Sequence, residues 1–314
     1  MNRRHFLRTS ALFASLGLLS RGGLFSRSTS TKSMPDGFVH LRRNVGIFNG
    51  RGGTIGWLAS PGALAIVDTQ FPETTAKCLA GIPQRGDRQI DVLINTHHHG
   101  DHTSGNPVFR PVVKKIVAHK NVPGLQRAAA ARAKPPATDR QVYADTTFTE
   151  TWSLALGGSR DGAETIHARH FGPAHTSGDI IVLFEKANIV HMGDLVFNRL
   201  HPVIDRAGGA SIAGWITILE TAAKTYPSDA IYVFGHGSAA PRFGVTGRRD
   251  DLLAMRDYLT GLLDHTRRQI AAGRSRDEII TLDKLPGFGD YQQARRLSSN
   301  LGVAHDEIMN APRA

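Results

Sequence analysis

The chain has 314 residues, of which 40% are hydrophobic and 21% charged, with a mean hydropathy of -0.22. That balance belongs to a folded globular protein and excludes collagen-like, mainly disordered and polytopic membrane chains. The single cysteine, Cys78, excludes an internal disulfide framework and a cysteine-cage metal site. The net charge of +11 is concentrated at the start, where residues 1–43 carry eight Lys or Arg against one acid, Asp36. The remainder is only mildly basic, so a nucleic-acid partner is not implied.

Residues 2–8 read Asn-Arg-Arg-His-Phe-Leu-Arg and lead into a weakly apolar run from Ala11 to Leu19. The run is too short to span a bilayer, so stable membrane insertion is not expected. The adjacent Arg3-Arg4, followed by Phe6-Leu7, resembles the twin-arginine export signal of bacteria. The resemblance implies a periplasmic or otherwise exported protein with residues 1–33 as its leader.

Beyond the leader, the apolar runs 53–60 and 63–68 around Pro61-Gly62 predict a hairpin. A helix is expected over 74–82, a buried strand over 90–96 and another over 115–119. The Ala-rich stretch 125–133 predicts a helix that stops before Pro135-Pro136. Four strands are expected over 148–156, 163–170, 179–185 and 188–193. A serine start and a proline stop frame a helix over 211–226, and 231–234 reads as a final strand. After Gly247, Leu252, Met255, Leu259 and Leu262 recur near helical period. The expected organisation is a leader, a catalytic domain over 34–245 and a helical extension over 246–314. Alternating strands and helices place the fold in the layered α/β class.

The densest chemical signal is Thr96-His97-His98-His99-Gly100-Asp101-His102. On an extended strand, His97 and His99 share a face while His98 points away. Asp101 and His102 follow a glycine turn and reach the same pocket from another side. Imidazole nitrogens and carboxylate oxygens suit zinc first, with iron or manganese as alternatives. Four ligands within six residues cannot all serve one ion in good geometry, so two divalent ions are expected. Downstream, His175, Asp194 and His236 each sit in a glycine-containing turn beside an apolar strand.

With these residues in order, the chain resembles the metallo-β-lactamase superfamily of metal-dependent hydrolases. The H-x-H-x-D-H signature is matched by His97, His99, Asp101 and His102, and the later motifs by His175, Asp194 and His236. The likeness covers residues 38–238. It implies a four-layer αβ/βα sandwich with the metals at one edge of the sheets. It assigns His97, His99 and His175 to a first ion, Asp101, His102 and His236 to a second, and Asp194 to a bridge. The implied chemistry is hydrolysis of an ester, thioester or amide by a metal-activated hydroxide, with Asp101 as the catalytic group that orients it.

The expected partner is a small-molecule substrate. β-Lactam hydrolysis is the alternative, since export suits it. Against it, the best-known β-lactamases have a cysteine, a serine or no ligand where this chain has Asp194, and often a lysine where it has Phe197. A di-iron redox protein and a noncatalytic binding module are further readings of the same fold. His5, His40, His119, His167, His170, His191, His265 and His305 read as structural or surface residues, and Cys78 as structural. Asp179 reads as a support of the His175 loop. Substrate selection would be sought at His201, Trp57, Trp215 and the segment 122–144, with core packing the leading reading of both tryptophans and a structural role that of His201. The C-terminal tail shows no basic substrate-binding pattern of the glyoxalase II kind.

Overall fold

The computed structural model describes residues 34–134, 141–158 and 163–311; the leader expected over 1–33 lies outside them. The first sheet holds seven strands in sequence order. They are β1 (Phe38–Arg42), β2 (Val45–Phe48), β3 (Ile55–Ser60), β4 (Ala63–Val67), β5 (Val92–Ile94), β6 (Ile116–His119) and β7 (Thr146–Phe148). The first four form an antiparallel meander, and β4 to β7 run parallel. Parallel neighbours need crossovers. These are α1 (Pro72–Gly81), the short helices α2 (Gly100–Thr103) and α3 (Asn106–Phe109), and α4 (Val122–Arg132).

The second sheet contains β8 (Thr151–Leu156), β9 (Glu164–Arg169), β10 (Ile181–Phe184), β11 (Ile189–His191), β13 (Ile231–Val233) and β15 (Thr246–Gly247). A separate parallel pair joins β12 (Phe197–Asn198) to β14 (His236–Gly237). Helix α5 (Ile212–Thr225) is capped by the Ser211 side chain, which accepts from the Gly214 amide. Then come α6 (Arg249–Ala271), α7 (Arg276–Ile279) and α8 (Leu297–Met309). Among the described residues, no helix is long and apolar enough to cross a membrane.

Side-chain alternation along the strands builds the layers. On β4, Ala65 and Val67 face the second sheet and meet Ile166, Val182 and Phe184. Leu64 and Ile66 point the other way, into the cluster that holds Trp57, Cys78 and Ile82. On β11, Ile189 joins the inter-sheet core while Val190 packs with Trp215, Leu219, Leu259 and Leu301. The result is the expected four-layer αβ/βα sandwich. The C-terminal helices share one core with α5 and the outer face of the second sheet.

Two expectations change. The single strand over 148–156 is two strands, because the chain turns at Thr149-Glu150 and passes from the first sheet to the second. The strand over 90–96 stops at Ile94, so His97, His98 and His99 lie in a bend and strand alternation does not orient them. Cys78 is fully buried, and burial pushes its thiol far up, which leaves it an inert core residue.

His119 ends β6 with its ring stacked on His170, centroids 3.9 Å apart and planes at 16°. Burial, then the neighbouring His170 and Lys120, pull His119 down to about 4. The unfolded chain takes that proton below about pH 6.5, so it binds more protons than the folded one down to about 4. Stability therefore falls as pH drops through this window. His119→Phe keeps the stack without the titration, and urea midpoints between pH 7 and 4 should show a shallower acid slope than wild type.

Candidate metal centre

The ends of β4 and β5 set the base of the site. Asp68 follows β4 with a φ of 64°, in the left-handed region, and is fully buried. Its carboxylate accepts from the Thr96 amide at 2.6 Å and the Thr96 hydroxyl at 2.7 Å, and lies 2.8 Å from His102 Nδ1. A non-glycine residue held there costs roughly 1–3 kcal/mol. Hydrogen bonds to a charged group contribute about 1.5–3 kcal/mol each, so together the three outweigh that strain.

Past the bend, His99 caps the first turn of α2, and the His102 amide donates to the His99 carbonyl. This turn brings Asp101 and His102 beside His236. His175 comes from the loop before β10, where Thr176 donates its amide and hydroxyl to Asp179, both at 2.7 Å. Asp179 thus holds this loop together. Asp194 sits on a 3-10 turn after β11, and His236 on β14.

All seven candidate residues converge from both sheets in two groups. His97, His99, His175 and Asp194 can bring one ligand atom each within 4.8 Å of the others, as can Asp101, His102 and His236. His99 Nδ1 is 3.0 Å from His175 Nε2. Asp194 faces both groups. Its Oδ2 lies 3.5 Å from His175 Nε2, 3.8 Å from His97 Nε2 and 3.4 Å from His236 Nε2, and its Oδ1 lies 3.0 Å from His102 Nε2. Asp101 Oδ2 is 3.2 Å from His236 Nε2.

The opposite ring nitrogens are anchored, which fixes which atom faces inward. His97 Nδ1 is 3.1 Å from the Thr96 hydroxyl, His99 Nε2 is 2.9 Å from Asp205, and His175 Nδ1 is 2.9 Å from the Val203 carbonyl. His97 Nε2 is buried without a hydrogen-bond partner, and buried His102 Nε2 and Asp194 Oδ1 have none beyond each other at 3.0 Å. Buried polar atoms are rarely left so, and a divalent cation would satisfy all three. A nitrogen and oxygen donor set of this kind fits zinc.

Charge follows the same division. Burial lowers His97 well below the usual histidine range and brings His175 down to about 3, leaving their lone pairs free. Burial also opposes the charge on Asp194, yet His236 and His102 hold it well below the usual carboxylate range. For Asp101, His102 and His236 outweigh burial and bring it to about 2.

Asp68 and Asp205 are functional residues the motifs did not reveal. For Asp68 the available signal was an aspartate ending an apolar strand run; for Asp205 there was none. Asp205 lies 3.3 Å from His98 Nε2 as well as 2.9 Å from His99 Nε2, and its turn is closed by the Gly208 amide at 2.9 Å. With His98 and His99 it forms a third group of metal-ligand type. Sharing His99, it is better placed to orient that ring than to hold a separate ion.

An open cleft of about 600 Å³ leads to the centre, lined by Gly52, Phe71, His99, Gly100, Asp101, Val203 and His236. Neither tryptophan reaches its walls, as the core reading of both expected, and His201 does not either. Trp57 is core, packed among Phe38 and His40 rings on the far side of the first sheet. Trp215 is buried behind His175, ring centres 5.4 Å apart, and donates to the Leu195 carbonyl. His201 is buried, 2.7 Å from the Tyr258 hydroxyl of α6. The described part of segment 122–144 contributes no lining residue; 135–140 lie outside the described residues.

Residues 49–241 match the family described as the metallo-beta-lactamase superfamily. Over 111 residues the chain is 33% identical to the 2,4-dinitroanisole O-demethylase subunit alpha of Nocardioides sp. (strain JS1661), a match covering 35% of this chain and 30% of that one. The fold is similar to a stereoselective inverting sec-alkylsulfatase from Pseudomonas sp., with a TM-score of 0.65 and 16% identity. That likeness covers 88% of this chain and 50% of the sulfatase. A metallo-beta-lactamase from Pontibacter korlensis gives a TM-score of 0.56 and 19% identity over 71% of this chain and 98% of its own. The chain thus spans about a third of the demethylase subunit and half of the sulfatase. The 88% coverage leaves out fewer residues than follow Gly247, so that likeness reaches into the C-terminal helices.

Two substitutions test the construction of the site. Asp68→Asn removes the charge behind His102 and should weaken zinc binding by roughly 10–100-fold, read by competition with a chromogenic chelator. A β-carbon on Gly235 would sit 1.9 Å from Asp194 Oδ1. Gly235→Ala should therefore displace Asp194 and lower bound metal, measured by elemental analysis, while circular dichroism stays native.

Proposed function

The chain belongs to the metallo-beta-lactamase superfamily, and on that basis we propose that it is a binuclear metal-dependent hydrolase of small ester, thioester or amide substrates. The observation that carries this reading is the convergence of seven nitrogen and oxygen donors, with the rings of His97, His99, His102 and His175 anchored from behind. His97, His99 and His175 would hold one ion, and Asp101, His102 and His236 the other, with Asp194 between them. When bound, two divalent ions supply a water of lowered pKa and polarise the oxygen of the bond to be cleaved.

The chain's own groups do the rest. Asp101 lies at the cleft, only partly buried, and its carboxylate accepts a hydrogen bond from the attacking water and aligns it with the substrate. Held near 2, it stores a proton poorly at neutral pH, so alignment is its main task. Asp194, ionised and buried, keeps negative charge between the two histidine groups. Phe71 and Val203 give the cleft an apolar wall against which a substrate body can lie. No protein nucleophile is needed, and Cys78 is out of reach in the core.

β-Lactam hydrolysis is the second reading, supported by the fold likeness to the Pontibacter korlensis enzyme. Phe197 weighs against it: its ring stacks on His236 at 5.1 Å where many β-lactamases present a lysine. Export to the periplasm, proposed from the basic start of the chain, is compatible with either substrate class.

The test is turnover by zinc-loaded protein on a panel of thioester, lactone, aryl ester and chromogenic cephalosporin. An alkyl sulfate and an aryl methyl ether are included because the similar proteins are described by those chemistries. Chelator-sensitive cleavage of an ester or thioester is expected, and brisk cephalosporin cleavage would favour the second reading. A fully loaded protein inert on the whole panel would sink the hydrolase assignment. Asp101→Asn should lower kcat by about 100-fold or more while folding normally, and wild-type turnover in that variant would refute its role.

A further inference from the structure

Val182, Ile189 and Val233 belong to the apolar layer between the two sheets, and His191 lies among them, fully buried. Strand alternation puts it there: His191 shares the inner face of β11 with Ile189, and its register partners on β10 and β13 are Val182 and Val233. A polar ring in such a layer is destabilising unless its nitrogens find partners. Nε2 lies 3.1 Å from the carbonyl of Thr54, the residue before β3 on the opposite sheet, and Nδ1 accepts from the Gly193 amide at 3.2 Å. A carbonyl only accepts and an amide only donates, so the ring is neutral with its proton on Nε2. Burial lowers His191 from the usual histidine range and keeps it in that form. Gly56 on β3 leaves the ring room, since a β-carbon there would sit 3.0 Å from it.

The two groups that His191 bonds belong to a network around particular ligands. The Gly53 amide donates to the Asp101 carbonyl at 2.9 Å. Thr54 donates to the Gly235 carbonyl twice, from its amide at 3.0 Å and its hydroxyl at 3.1 Å. The Gly235 amide in turn donates to the Gly193 carbonyl at 2.8 Å. Gly193 directly precedes Asp194, and Gly235 directly precedes His236. Asp101, Asp194 and His236 therefore hang from one set of bonds, which His191 braces from within the second sheet. His97, His99 and His175 are anchored elsewhere, through Thr96, Asp205 and Val203.

We infer that His191 is a positioning residue for the second ion: by clamping Thr54 to Gly193 across the two sheets, it fixes the spacing of Asp101, Asp194 and His236. The inference rests on the two-ion reading above and gives a specific task to a residue expected to be structural. Without the ring, the Thr54 carbonyl and the Gly193 amide lose their shared partner inside an apolar layer. A shift of residues 53–54 towards other partners relieves that loss, and through Gly53 it carries Asp101 away from Asp194. The first ion keeps three histidines whose supports lie outside the network, so the two sites should respond unequally.

The experiment uses the full chain as wild type, His191→Leu and His191→Gln. Zinc is titrated in competition with a chromogenic chelator so that the two equivalents are resolved, and circular dichroism checks the fold. A His236→Ala variant, which lacks a ligand of the second ion, identifies the equivalent that belongs to that site. His191→Leu removes both hydrogen bonds, and affinity for that equivalent should fall about tenfold or more while the other is unchanged. The amide of glutamine reaches the place of Nε2 and keeps the bond to Thr54, so His191→Gln should fall between and decides the matter if the leucine variant does not fold. Equal weakening of both equivalents, as a general loss of stability would give, or no weakening in the folded variants, would overturn the inference alone. A wild type that binds a single equivalent would sink the two-ion reading and this inference with it.

Discussion

The site depends on one buried carboxylate. Asp68 closes β4 in a left-handed conformation and ties the Thr96 backbone, the Thr96 side chain and the His102 ring to a single point. Through Thr96 it sets where β5 ends and where the His97–His99 bend begins. Through His102 it fixes which imidazole nitrogen faces Asp194. Burying an unpaired carboxylate would be costly, and three partners make it an anchor instead. The strain in the backbone is local, and the hydrogen bonds it enables fix the loop that follows β5.

Both sheets feed the centre, and neither could build it alone. The first supplies His97, His99, Asp101 and His102 from the loop after β5, and the second supplies His175, Asp194 and His236 from the loops and strand pair around β10, β11 and β13. Because the inter-sheet core locks Val67, Ile94, Val182 and Val233 together, the loops at their ends are held at a fixed separation. Glycines finish the fit where a side chain has no room. Gly53 leaves space for the His102 ring, and Gly235 for the Asp194 carboxylate.

Much of this was legible in the sequence, for physical reasons. Apolar runs bounded by turn residues marked β3, β4, β9 and β10, and the serine start and proline stop framed α5. The ligand-type residues stood out because clustered histidine beside glycine is chemically unusual. What could not be read was orientation and long-range pairing. His97 and His99 looked like strand neighbours, yet the strand ends three residues earlier and a carboxylate anchor positions them. Asp205, 106 residues beyond His99, carries no local signal that it will orient that ring. Trp57 and Trp215 could have lined a pocket, but large aromatic side chains more often fill cores, and both do so as that reading expected.

The C-terminal helices show the same limit most clearly. Their sequence displays helical period, and nothing in it says which part of the core they pack against. The docking of 291–296 against 199–201 supplies that answer. Phe197 gives that placement a chemical logic. With phenylalanine rather than a cation on β12, the strand itself contributes an apolar face that packs against His175, His236 and Trp215. Phe197 and Leu200 lie in one buried core with Leu297 and Leu301 of the C-terminal helix. A helical extension that reads as an appendage in sequence thus shares, in three dimensions, the core that carries Phe197 and Trp215 behind the site.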